Sequence, residues 1–265
     1  TQLKRTLEMG YKDPDAVRYY LGQVNEERKR FDDALTWYGE VAGGEQYVAA
    51  HARYAGILAK QGRLGDARAH LQQVAARDIQ QRVQLTQAEA QLLRDAAAYR
   101  EAFELLGHAL EKTPNSPELL YDHAMAAEKV DRLDVLEANL RKLIEMRPTN
   151  AHAYNALGYT LADRNERLEE ARGLIAKALE LAPDDPFIMD SMGWVLYRMG
   201  NIKEGLDYLQ RAYALRPDPE IAAHLGEVLW MQGRREEARK IWADSLKDHP
   251  RNEVLENTIK RLTKN

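Results

Sequence analysis

The chain has no cysteine, only three phenylalanines, and only three serines in 265 residues. Without cysteine there can be no disulfide, no thiol nucleophile and no thiolate metal ligand. That absence leaves the compartment open, because cysteine-free chains suit reducing and oxidising surroundings alike. Of the serines, Ser191 stands in DSMGW and lacks the glycine two residues earlier that a nucleophile elbow requires. The seven histidines are scattered, with no HExxH pair and no two lying three or four residues apart to bind a metal from one helix face. Glycine-rich phosphate loops are missing, and no uninterrupted apolar run approaches the roughly 20 residues that span a bilayer. Nor is there an excess of one charge. The formal net charge is −4, and the basic runs ERKR (Glu27 to Arg30) and GRREEARK (Gly233 to Lys240) are interleaved with acids. Such runs are solvated helix faces and not a nucleic-acid footprint. The expectation is a protein with no catalytic residue, no metal and no cofactor.

What is present is a period. Prolines at Pro114, Pro148, Pro183 and Pro217 recur about every 34 residues, the length of two short helices and two turns. Numbering Pro219 as position 1 puts Ala222, Leu225, Gly226, Leu229, Ala238, Trp242, Ser245 and Pro250 at positions 4, 7, 8, 11, 20, 24, 27 and 32. The same offsets from Pro186 give Met189, Met192, Gly193, Leu196, Gly205, Leu209, Ala212 and Pro217. Small residues at positions 8 and 20 let two helices approach closely, and the larger apolar positions fall at helical spacing to form a seam. Asp or Ser followed by Pro, as in NSPE, DDPF and PDPE, predicts helix starts. Gly62, Gly200 and Gly233 predict turns.

These positions resemble the tetratricopeptide repeat. The resemblance implies an all-α fold, a right-handed superhelical solenoid of helix-turn-helix repeats with a C-terminal capping helix. It is read as one domain over 1–265, with repeats starting near Asp15, Val48, Val83, Pro117, Ala151, Pro186 and Pro219. Residues 1–14 read as the end of a truncated preceding repeat, and 251–265 as the cap, so the chain is expected to be part of a longer array.

In this family the first helix of each repeat lines a concave groove through positions 2, 5, 9, 12 and 13. Those offsets select Tyr19, Gln23, Gln91, Tyr121, Met125, Glu128, Asn155, Tyr159, Asp190, Trp194, Tyr197, Glu227, Trp230 and Met231 as candidate partner-binding residues. Large stiff aromatics bury much area at small entropic cost, which suits binding of a peptide or helix. The alternative is that Trp194 and Tyr197 fold back into the neighbouring repeat as core. The lysine and asparagine clamp that holds acidic chaperone tails is excluded, since position 5 reads Tyr19, Ala52, Gln87, Tyr121, Asn155, Asp190 and Ala223. An acidic and aromatic groove instead predicts a basic or amphipathic partner segment.

The run from Asp184 to Trp242, beginning DDPFIMDSMGW, is similar to the C-terminal repeats of Gram-negative outer-membrane TPR lipoproteins that partner carboxyl-terminal processing proteases. That resemblance implies a non-catalytic periplasmic adaptor, at the outer membrane, which activates such a serine protease and presents substrates such as peptidoglycan hydrolases. The lipobox cysteine of those proteins is not in this sequence. A second reading is a structural assembly scaffold for an envelope complex such as a pilus, secretin or polysaccharide exporter.

Overall fold

The structure, a computed structural model, describes residues 12–264. Of the segment read as the end of a preceding repeat, only the last three residues fall within that range. The described residues form fifteen helices and no strand, so the fold is all-α. They divide into two compact units, one ending at Leu136 and the other starting at Glu137.

In the first unit, α1 (Pro14–Glu27) pairs with α2 (Phe31–Gly39), α3 (Tyr47–Lys60) with α4 (Leu64–Gln73), and α5 (Ile79–Asp95) with α6 (Tyr99–Lys112). Helix α7 (Pro117–Lys129) packs on α6, and the division between the units falls inside α8 (Leu133–Met146). In the second unit, α9 (Ala151–Asp163) pairs with α10 (Leu168–Leu181), α11 (Pro186–Arg198) with α12 (Ile202–Leu215), and α13 (Pro219–Met231) with α14 (Arg235–Asp248). The last helix, α15 (Glu253–Thr263), lies on α13. The first helix of each pair is called A and the second B.

Every A helix except α3 starts where the side chain before it can receive a free amide. Ser116 accepts from Leu119 N, Asn150 from Ala153 N, Asp185 from Phe187 N and Ile188 N, and Asp218 from Glu220 N. Pro117, Pro186 and Pro219 occupy the first turn, where a missing N–H costs nothing. Each such cap contributes about 1 kcal/mol.

The A-to-B turns share one device. Residue 15 of every repeat has a left-handed backbone: Gly62, Gly200 and Gly233, and also Lys29, Ala97, Asp131 and Asn165. The next amide reaches back to close the helix, as in Asn201 N to Leu196 O (2.8 Å) and Ala98 N to Leu93 O (2.8 Å). This is the Schellman arrangement, which satisfies orphan carbonyls at a helix end.

Close approach of A and B helices explains the small residue at position 8. A Cβ on Gly193 would stand 2.6 Å from Leu209 and 2.8 Å from the carbonyl of Gly205, and one on Gly226 would collide with the Trp242 indole. The constraint therefore comes from the side chain at position 24 as much as from the backbone at position 20. The seam itself is apolar, with Leu21, Leu71, Leu106, Leu140, Leu157 and Leu225 all buried. Burying one such leucine contributes about 2 kcal/mol.

Candidate functional site

Residues one repeat apart lie side by side on neighbouring A helices, and this places a polar and aromatic cluster on the A-helix face of the second unit. Its centre is His224 on α13. The imidazole Nδ1 lies 2.8 Å from Asp190 Oδ2 on α11, and Nε2 lies 3.4 Å from the Tyr159 hydroxyl on α9. The Trp194 ring stacks on the imidazole at 4.3 Å, and Tyr197 tilts against Trp194 at 5.3 Å. Burial works against protonation of His224, but the charge of Asp190 and its hydrogen bond outweigh burial, so the His224 pKa is raised. The two side chains form an internal histidine–carboxylate pair.

One step further along α13, Glu227 is buried and accepts from both terminal nitrogens of Arg261 on α15. The pair fixes the last helix to the face. Burial raises the Tyr197 hydroxyl pKa, and Glu227 adds to the rise.

The sequence-selected residues therefore separate into groups. Tyr159, Asp190, Trp194, Tyr197 and Glu227 come together. Of these Asp190, Trp194 and Glu227 are nearly closed to solvent, at 5%, 3% and 6% exposure, so they build the face from within and do not project from it. Packing of three A helices against His224 closes them off. Asn155 is half-buried with its carbonyl oxygen enclosed and without a hydrogen bond, as is the Trp194 indole N–H. Trp230 is drawn away from the others. It tilts against Trp242 at 5.6 Å, with the guanidinium groups of Arg235 and Arg239 at 5.1 and 5.5 Å from its ring. Met231 is 58% exposed.

In the first unit Tyr19 receives a hydrogen bond from Gln23 (3.2 Å), and Glu26 accepts from the Tyr38 hydroxyl (2.8 Å) and Arg53 (3.0 Å). Gln91 is exposed and tied along its own helix to Asp95 and Arg94. Tyr121, Met125 and Glu128 are half-buried on α7, and burial raises the Tyr121 hydroxyl pKa. Gln87 of α5 donates to Asp122 of α7 (2.8 Å).

Two residues escaped the sequence reading, His224 and Arg261. The signal was there: each stands 34 residues after its partner, Asp190 and Glu227 respectively. Among the described residues no group of three or more histidine or acidic side chains could hold a metal, and no helix is long and apolar enough to cross a membrane.

Comparison with known proteins agrees with this architecture. The tetratricopeptide repeat profile matches residues 1–47, 121–186 and 191–253, more than half of the chain. The chain is 43% identical over 249 residues to the TPR repeat-containing protein PA4667 of Pseudomonas aeruginosa, covering 94% of this chain and 42% of that protein. It thus spans less than half the length of that relative. A local likeness, 43% over 56 residues, connects it to human protein arginine N-methyltransferase 9, but takes in only 7% of that enzyme. Among solved structures, a tetratricopeptide repeat protein from Parabacteroides merdae superposes with a TM-score of 0.72 over 95% of this chain and 99% of its own, at 13% identity. A thermophilic TPR protein of Thermus thermophilus gives 0.62 over 68% of this chain and 98% of its own, at 24% identity. The period, the left-handed turns, the close A–B approach and the profile match converge: this chain belongs to the tetratricopeptide repeat family.

Proposed function

We propose that this chain is the binding part of a periplasmic adaptor of the LbcA type, which docks and activates a carboxyl-terminal processing serine protease and presents it with substrates such as peptidoglycan hydrolases. Tetratricopeptide repeats build protein-protein interaction scaffolds, and that coarser function stands on the family alone. The finer reading is supported by the likeness of the run from Asp184 to Trp242 to outer-membrane TPR lipoproteins. The observation that carries it to a surface is the A-helix face of the second unit, where Tyr159 and Tyr197 remain half-open above a buried histidine–carboxylate pair. Rigid aromatics held from beneath bind a partner segment at low entropic cost. On this reading the protein works at the periplasmic face of the outer membrane.

The test is degradation of a peptidoglycan hydrolase by the protease with and without this chain. The expected result is faster degradation, reduced by Tyr197→Ala and Met231→Asp, two changes outside the closed core. No acceleration overturns the adaptor reading. Stoichiometric copurification with a membrane complex and no change in rate would point instead to an envelope assembly scaffold.

A further inference from the structure

A recess lies in the first unit, built from residues that the A-helix face does not use. Helix α4 is a short B helix of 10 residues, against 14 in α6. It stops at Val74, whose backbone turns extended (φ −59°, ψ 123°) while its side chain stays buried. The following segment is held open by side chains: Arg82 donates to Val74 O (2.8 Å) and Arg77 to Ala42 O (2.8 Å). Helix α5 starts directly after it and runs for 17 residues, so its first residue, Ile79, stands clear of the core at 69% exposure.

The missing last turn of α4 leaves the outer side of α5 and α6 uncovered. A cleft of about 410 Å³ results. Its floor is apolar, with Val83, Leu105 and Leu119, and Ile79 forms one wall. Its rim carries two cations, Arg82 and Lys112, both exposed. The single carboxylate in the lining, Glu89, is already held by Arg68 (2.9 Å) and Gln72 (2.8 Å). The charge presented to solvent by Arg82 and Lys112 is therefore positive.

We infer that this cleft is a second docking site, for a protein segment that carries aliphatic side chains flanked by carboxylates. The volume is in the range of small binding pockets and takes two large apolar side chains. The apolar floor supplies affinity through burial, and the cationic rim selects the acidic flank and speeds its approach. The site stands apart from the proposed protease-adaptor role, because none of its lining residues belongs to that face.

The probe is a short fluorescein-labelled peptide with two leucines flanked by glutamates, titrated by anisotropy into the full chain. Versions carrying lysine or glutamine in place of glutamate, and decanoate as a competitor, complete the set. The expected order is glutamate over glutamine over lysine, with affinity falling as salt rises. Ile79→Asp is expected to weaken the glutamate peptide about tenfold through lost apolar burial. Lys112→Glu is expected to weaken it about fivefold. Both residues are exposed, so helicity by circular dichroism stays unchanged, and Tyr197→Ala leaves the affinity intact. Absence of binding, preference for the lysine version, or indifference to both rim substitutions overturns the proposal. Decanoate binding as tightly as the peptide overturns it too, by assigning the cleft to a free amphiphile.

Discussion

Buried histidines of the two units are shifted in opposite senses. In the first unit His51 and His70 face one another, with Nδ1 of His51 3.0 Å from Nε2 of His70, and Tyr54 stacks on His70 at 4.0 Å. Burial, and then the neighbouring His51, lower the His70 pKa from 6.5 to about 4. Burial likewise lowers His51, with a hydrogen bond to the Val41 backbone opposing it, and lowers His123, with Arg132 adding to the effect. In the second unit His224 is at least as enclosed, yet its pKa rises, because Asp190, Asp163 and Glu220 are the charges around it. Burial alone does not set the sign of a shift. Burial shifts the imidazoles of the first unit toward the neutral form, whereas the carboxylate supplied in the second shifts His224 toward the charged one.

Three experiments sharpen the contrast. The largest effect is expected from Trp194→Ala, which removes a nearly enclosed indole stacked on His224 and should cost about 3–5 kcal/mol. The half-buried Tyr19→Ala in the first unit should cost about 1 kcal/mol. Urea midpoints compare them, with hydrogen exchange assigning each loss to its unit. Equal losses would show that Trp194 is not part of the core.

Next comes acid. A raised folded pKa makes the His224–Asp190 pair most stabilising below the ordinary histidine value of 6.5, with that stability lost as pH climbs through the raised value. The lowered value of His70 acts in reverse, its contribution being present above 6.5 and lost as pH falls toward about 4. Hydrogen exchange corrected for intrinsic rates should therefore show the second unit gaining protection between pH 7.5 and pH 6 and the first losing it. Asp190→Asn should remove the gain and cost about 2 kcal/mol, as for a hydrogen bond to a charged group. The same sign in both units would refute the comparison.

The smallest effect concerns the turns. Ala97 holds a left-handed backbone (φ 56°) where Gly200 holds one at φ 87°. Ala97→Gly should stabilise the first unit by about 1 kcal/mol, and Gly200→Ala should destabilise the second by a similar amount. Thermal melts read both.

Much of this was legible in the sequence, and the exceptions have a common cause. The period, the caps at Ser116, Asp185 and Asp218, and the glycines at position 8 follow from local rules of helix starts and close approach. What failed to show was direction. Position 12 puts Trp230 on the A-helix face in a generic repeat, yet Trp242 and two arginines of α14 draw it aside. The offsets leave Trp194 either an open aromatic or a core residue, and only His224, one repeat later and laid upon it, decides for the core. Lys29, Ala97, Asp131 and Asn165 carry the left-handed turn without the glycine that advertises it. The recess beside Ile79 depends on where α4 stops, which rests on two arginines bonding to distant carbonyls.

The repeat beginning at Ala151 carries one residue more between its A and B helices than its neighbours do, and the structure shows where the surplus goes. Asn165 and Arg167 both turn left-handed, at φ 57° and 43°, and Arg167 is tied to Glu137 (2.6 Å). Downstream, Ala171 and Ile175 still meet Gly158 as their counterparts do elsewhere. What stays constant from repeat to repeat is the phase of one helix against the next. The spacing of 34 is only its usual expression, so in this fold length can be edited at the turns while the stack keeps time.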